Sequence, residues 1–98
     1  MENRIALIGI IVENEESVER LNRLLHDYRE IVIGRMGLPY AKRGISIISV
    51  AVDGPADTIS ALSGKLGALP GVSSKTTYSK YSINNTCKCL VLFSLTTM

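Results

Sequence analysis

The sequence predicts an α+β sandwich of order β-α-β-β-α-β: a four-stranded antiparallel sheet with two helices on one face. Three observations predict it. Two segments repeat apolar residues at helical spacing and divide the chain into four strand-like runs. The first and third of those runs carry apolar residues on both faces, as central strands do. The fourth is short and polar, which suits a sheet edge.

The first strand is RIALIGIIVE, Arg4 to Glu13. Ile5, Leu7, Gly9 and Ile11 fall on one face, and Ala6, Ile8, Ile10 and Val12 on the other. Covering both faces of such a strand in so small a domain calls for a partner subunit. A helix follows in NEESVERLNRLLHDY, with Asn14 as the N-cap and Val18, Leu21, Leu25 and Tyr28 as the buried stripe. Glu15, Glu16 and Glu19 near its start and Arg20, Arg23 and His26 further on complement the helix dipole. The rest of its surface is charged and solvated.

EIVIGRMGLPY, Glu30 to Tyr40, begins β-branched and is then interrupted by Gly34, Gly37 and Pro39, so it reads as an irregular or edge strand. A turn at AKRG leads to ISIISVAVD, Ile45 to Asp53, the second strand that is apolar on both faces. Gly54-Pro55 opens the second helix, with proline at the first helical position and Asp57 in the first turn. Its core stripe is Ile59, Leu62, Leu66 and Leu69, and Pro70-Gly71 stops it. Val72 to Lys80 forms the polar edge strand. This is the ferredoxin-like split βαβ arrangement, and right-handed crossovers put strands one and three side by side at its centre. Residues 1–80 make this domain. Residues 81–98 are an extension in which CKCLVLFSL places Cys87, Cys89, Val91, Phe93 and Leu95 on one face; an added edge strand, a swapped arm and an unstructured tail all remain open there.

A 98-residue chain is one domain. So short a chain buries only about 60–70% of its unfolded surface, which favours oligomerisation. With 11 basic and 9 acidic residues the net charge is +2, too mild a balance for a nucleic-acid surface, and Lys42-Arg43 is a pair, not a patch. The apolar run from Ile5 to Val12 is far short of the roughly 20 residues that span a bilayer, and no leader precedes it. A cytoplasmic protein with reduced thiols is therefore expected.

Catalytic chemistry is not visible. Cys87 and Cys89 supply two thiolates, too few to close a tetrahedral metal site, and the single histidine, His26, lies on a distant helix. No nucleophile motif accompanies His26. Neither GRMGLPYAKRG nor Ser63-Gly64-Lys65 has the order of a phosphate-binding loop. No catalytic residue, metal or cofactor is assigned. The second helix carries the unusual feature: its outward face is small and smooth, with Ala61, Gly64 and Ala68. Each helical glycine costs about 1 kcal/mol relative to alanine. A low-propensity exposed face and the close approach of another backbone, from a second subunit or from the extension, both account for that choice, and Ala61, Gly64 and Ala68 are the candidate interface.

Leu24-Leu25-His26, Arg35-Met36-Gly37-Leu38-Pro39 and the run DTISALSGKLG from Asp57 to Gly67 resemble the iron-only hydrogenase system regulators, over about residues 4–80. The resemblance implies a ferredoxin-like fold related to ACT domains and to the ligand-binding half of nickel-responsive repressors. It also implies a regulatory, non-enzymatic role linked to hydrogenase maturation. A homo-oligomer, dimer or tetramer, with a small-molecule effector at the subunit boundary is the expectation by analogy with ACT domains. The effector would lie near the first strand-to-helix loop, at Asn14 and Glu15, with Arg35, Gly37 and Pro39 across the interface. The alternative is a ligand-free interaction module for hydrogenase maturation proteins. No ribbon-helix-helix or helix-turn-helix segment is visible to read DNA, and the several histidines of the repressors' nickel site are missing.

Overall fold

The protein is described by a computed structural model over residues 3–80. The extension, with Cys87 and Cys89, lies outside the described residues. The order is β1 (Asn3–Val12), a 3₁₀ turn (Glu15–Ser17), α1 (Val18–Asp27), β2 (Val32–Tyr40), β3 (Ile45–Pro55), α2 (Ala56–Gly67) and β4 (Val72–Tyr78). The strands form one sheet in spatial order β2-β3-β1-β4, antiparallel throughout. The two doubly apolar strands, β1 and β3, are central, and β2 and β4 are the edges. This is the predicted ferredoxin-like α+β arrangement.

Period-two alternation divides β1 cleanly. Ala6, Ile8, Ile10 and Val12 are buried and face the helices, while Ile5, Leu7 and Ile11 are exposed on the other side. In β3, Ile48, Val50 and Val52 join the core. Leu21 and Leu25 enter it from α1, and Ile59, Leu62 and Leu66, with no exposed surface, enter it from α2. Each fully buried side chain of this kind contributes about 1.5–3 kcal/mol. Val18, Tyr28 and Leu69 flank the core half-buried.

Two details differ from the sequence expectation. Asn14 does accept from a backbone donor, Glu16 N at 3.0 Å, but the helix it starts opens with a 3₁₀ turn, and α1 begins only at Val18. Proline 55 is the N-cap of α2, at φ −62° and ψ 142°, one residue before the first helical position. Its extended ψ continues β3, so the strand runs to Pro55 instead of stopping at Asp53. Both helices pack on the same side of the sheet, as predicted, and Ile5, Leu7, Ile11 and Ile47 on the other side are exposed among the described residues.

The two chain reversals at the β1–α1 end are pinned together. Ser17, buried, donates its hydroxyl to the Pro70 carbonyl at 2.6 Å, and the Glu13 amide donates to the Gly71 carbonyl at 2.7 Å. Gly71 has φ +68°, and a Cβ there would stand 2.6 Å from Asn14 Cβ. Only glycine fits both the left-handed backbone and that approach.

Candidate functional site

The register of the sheet gathers the exposed apolar residues into rows across its open face. Met36, Ser49, Gly9 and Lys75 form one row, Leu38, Ile47, Ile11 and Ser73 the next, and Gly34, Ala51, Leu7 and Thr77 a third. Antiparallel partners share a face, so these residues share the side opposite the helices. Leu7 is 49% exposed, Ile47 41%, Met36 76% and Leu38 63%. A contiguous apolar face of this kind, exposed among the described residues, is unusual on a monomer.

Two shallow depressions indent this face. The larger, about 490 Å³, lies over Gly9, where β1 lacks a side chain, and is rimmed by Ile11, Ile47, Ser49, Ser73 and Lys75. The smaller, about 260 Å³, is lined by Leu7, Gly34, Met36 and Ala51. Their linings are mainly aliphatic, with serine hydroxyls and one ammonium at the margin. They suit an apolar side chain better than a charged metabolite.

Chemistry of the catalytic kind is not assembled in the described region. Among the described residues, no group of three or more His, Cys, Asp and Glu is placed to hold a metal. His26 is exposed at the end of α1, where Arg29 donates to its carbonyl at 3.1 Å and lies 3.4 Å from its Nε2. No described helix is long and apolar enough to cross a membrane. Lys65, on α2, donates to the Tyr28 hydroxyl of α1 at 2.9 Å. That hydrogen bond holds the Lys65 ammonium above its ordinary value of 10.5. It is a surface tie between the helices.

The sequence-predicted effector residues are spread over the domain. Asn14 is half-buried, its side chain spent on the Glu16 amide and its Cβ set against the Gly71 turn. Glu15 is exposed beside it. Arg35 pairs with Val50, so it projects to the helix side, where its guanidinium donates to Asn22 Oδ1 of α1 at 3.0 Å. Gly37 and Pro39 follow along the same side of the β2 edge, both exposed. Within one subunit β3 and β1 separate β2 from the Asn14 turn. Ala61 and Gly64 on α2 and Ala68 at its C-cap are all exposed, and among the described residues no other element comes within 4 Å of where a Gly64 Cβ would be. Gly67 faces β4 instead, with Ser74 Cβ at 3.7 Å.

Sequence reasoning touched the open face only through the Arg35–Pro39 stretch, which contains Met36 and Leu38, and did not name Leu7, Ile11 or Ile47. The signal was present in the second apolar phase of the central strands, Leu7 and Ile11 in β1 and Ile47 in β3. Met36 and Leu38 could be assigned to that face only with the β2–β3 register, because a bulge between Val32 and Gly34 resets the alternation of β2.

Comparison with known proteins adds a family. Residues 4–76 match the model of a family described as "TM1266-like: Iron-only hydrogenase system regulator, putative". Among solved structures, the chain is similar to the uncharacterized protein TM1266 from Thermotoga maritima, at 38% identity and TM-score 0.77, over 81% of this chain and 100% of that one. It also shares its fold, at 16% identity and TM-score 0.58, with part of a formyltetrahydrofolate deformylase from Pseudomonas putida KT2440, over 79% of this chain and 29% of that one. No curated protein matches.

Proposed function

This chain belongs to the TM1266-like family of iron-only hydrogenase system regulators, and from that premise we propose that it is a non-enzymatic regulatory domain that works by association through the open face of its sheet. The observation that carries this reading is the apolar surface of Leu7, Ile11, Ile47, Met36 and Leu38, left uncovered opposite the helices. Self-association is the simplest use of such a face. Four strands about 4.8 Å apart and about nine residues long make a face of roughly 570 Å². Two stacked faces bury roughly 1,100 Å², above the roughly 1,000 Å² expected of a specific interface. Ala61, Gly64 and Ala68 offer a second, smaller contact on α2, through which a dimer would extend to a tetramer.

A small effector at a subunit boundary remains part of this proposal, with Asn14, Glu15, Arg35, Gly37 and Pro39 as its candidates. The second reading, a ligand-free module for hydrogenase maturation proteins, is favoured by one observation: the Asn14 turn is already filled by its own hydrogen bond and by Gly71. A cytoplasmic location accords with either.

Light scattering on the wild type and on the double substitution Leu7→Lys, Ile47→Lys tests the interface. The expected result is association in the wild type and a folded monomer in the variant. Unchanged mass in a folded variant would overturn the open face as the contact. A thermal-shift screen of amino acids, nucleotides and metal ions then separates the two readings, because only a ligand of the folded state raises Tm.

A further inference from the structure

We propose that the open face is occupied by a second copy of this chain, stacked with its two-fold axis along β3, so that Met36 and Leu7 of each copy fill the gaps that Gly9 and Gly34 leave in the other. This rests on the reading of that face as the association surface, and adds its geometry.

The two strand glycines point to close approach. Glycine weakens a strand interior and marks a place where another backbone or a ligand comes near. Among the described glycines, positive φ occurs only at Gly44 and Gly71, so the backbone does not require glycine at 9 or 34. A Cβ on Gly9 would meet only the Lys75 carbonyl oxygen, at 3.9 Å, and a Cβ on Gly34 would meet nothing within 4 Å. The bulge beside Gly34 tolerates other residues at negative φ. What the two glycines do create is the pair of depressions, about 490 Å³ over Gly9 and about 260 Å³ at Gly34.

The position of the apolar area selects the axis. Beside the Leu7, Gly9 and Ile11 rows, β4 presents Thr77, Lys75 and Ser73, all polar. The apolar residues lie on β2, β3 and β1, and the middle strand of that set is β3. Two identical sheets stacked face to face share an isologous contact, with the two-fold axis in the plane between them. An axis along β3 lays β2 of one copy over β1 of the other, row on row. Met36 then stands over the partner's Gly9, and Leu7 over the partner's Gly34. Leu38 meets the partner's Ile11. Ser49 and Ala51 lie on the axis, where small side chains let the β3 strands come close. The two Ser49 hydroxyls can bond each other. Asp53, further along β3, is carried off the axis by the crossing of about 30° between stacked sheets.

Other placements serve these side chains less well. An axis along β1 sets gap on gap at Gly9. An axis across the strands, between the Gly9 and Gly34 rows, also fills both gaps. It traps Lys75 against the partner's Thr77 and sets Ile47 on the partner's Asp53. The axis along β3 instead leaves β4 beyond the partner's edge, with the Lys75 ammonium in water. Three strands about 4.8 Å apart then bury roughly 850 Å² over two copies, which makes the dimer a weak, reversible one.

Exchange of size across the contact tests the pairing. In sedimentation of the full chain over a concentration series, Gly9→Leu is expected to weaken the dimer about tenfold or more, the scale of overpacking. Adding Met36→Gly reopens that space and is expected to restore most of the loss. Both positions are exposed, and circular dichroism checks that the variants remain folded. An unchanged dimer in Gly9→Leu overturns the pairing, as do losses that simply add in the double variant. The axis has its own measurement, which does not alter the face. On a background of Cys87→Ser and Cys89→Ser, a nitroxide is placed at Lys42→Cys, in the turn between β2 and β3. Electron double resonance is expected to give a separation below roughly 30 Å, because the axis along β3 sets both turns at one end. A separation of roughly 40 Å or more, a strand length apart, overturns that axis. The underlying reading fails separately. If Leu7→Lys, Ile47→Lys abolishes association while the size exchange does not compensate, the face stands and this stacking falls. If Leu7→Lys, Ile47→Lys leaves association unchanged, or the wild type stays monomeric throughout, the reading of the face falls and the stacking with it.

Discussion

Gly71 shows how one residue fixes a junction. Its φ of +68° costs any L-residue about 1–2 kcal/mol, and an added Cβ would push Asn14 away from the cap it makes with the Glu16 amide. Gly71→Ala is expected to destabilise the fold by about 2 kcal/mol or more, read as a lower urea midpoint with an unchanged slope. Gly64 behaves in the opposite sense. No other described element comes within 4 Å of a Cβ added there, so in a monomer Gly64→Ala removes only the helical cost of glycine and adds about 0.5–1 kcal/mol of stability. A stability gain together with unchanged association would remove α2 as a contact surface. A gain offset by weakened association would place a neighbouring backbone against it. The wheel reading of Gly64 as outward agrees with its position. The approach of Gly67 to Ser74 is a tertiary fact that helical spacing does not contain.

At the scale of the element, α1 and α2 are specified by different means. The stripe of α2 puts Ile59, Leu62 and Leu66 wholly out of water, so Leu62→Ala should cost about 2–5 kcal/mol in a denaturant titration. The surfaces of the helices meet at Lys65 and Tyr28. Because the hydrogen bond from Lys65 raises the folded-state value above the ordinary 10.5, its contribution is complete below that value. It is lost as pH rises through the raised one. The stability difference between wild type and Lys65→Met should therefore be constant from pH 7 to 9 and shrink toward zero in strong alkali; a difference that grows with alkalinity would contradict the tie. Element type and order were legible because periods of two and near 3.6 differ plainly. Element ends were less so. Pro55 was assigned to the helix because its fixed φ suits both a helix start and an extended residue, and only its ψ of 142° separates them.

For the whole molecule, the decisive feature is asymmetry: two helices on one face, nothing described on the other. If the proposed association uses that other face, apolar burial drives it, and it should persist in 1 M sodium chloride and strengthen in sulfate, as measured by sedimentation. Weakening by simple salt would point instead to charged contacts. The sequence by itself determined the fold class, the central pair of strands, the core stripes of both helices and the family, since all of these are written as local periodicity or contiguous motif. It did not place the candidate residues relative to one another. Arg35 belongs to a family-like motif yet turns to α1, and Asn14 is absorbed by its own turn. The residues that form a surface come from three separate strands, joined only by register. Apolar on both faces meant central in the sheet, as the pattern said. Two helices on one face also followed from the element order and right-handed crossovers; which side chains share the other face depends on the register between strands, including the bulge in β2, and only the tertiary structure supplies that.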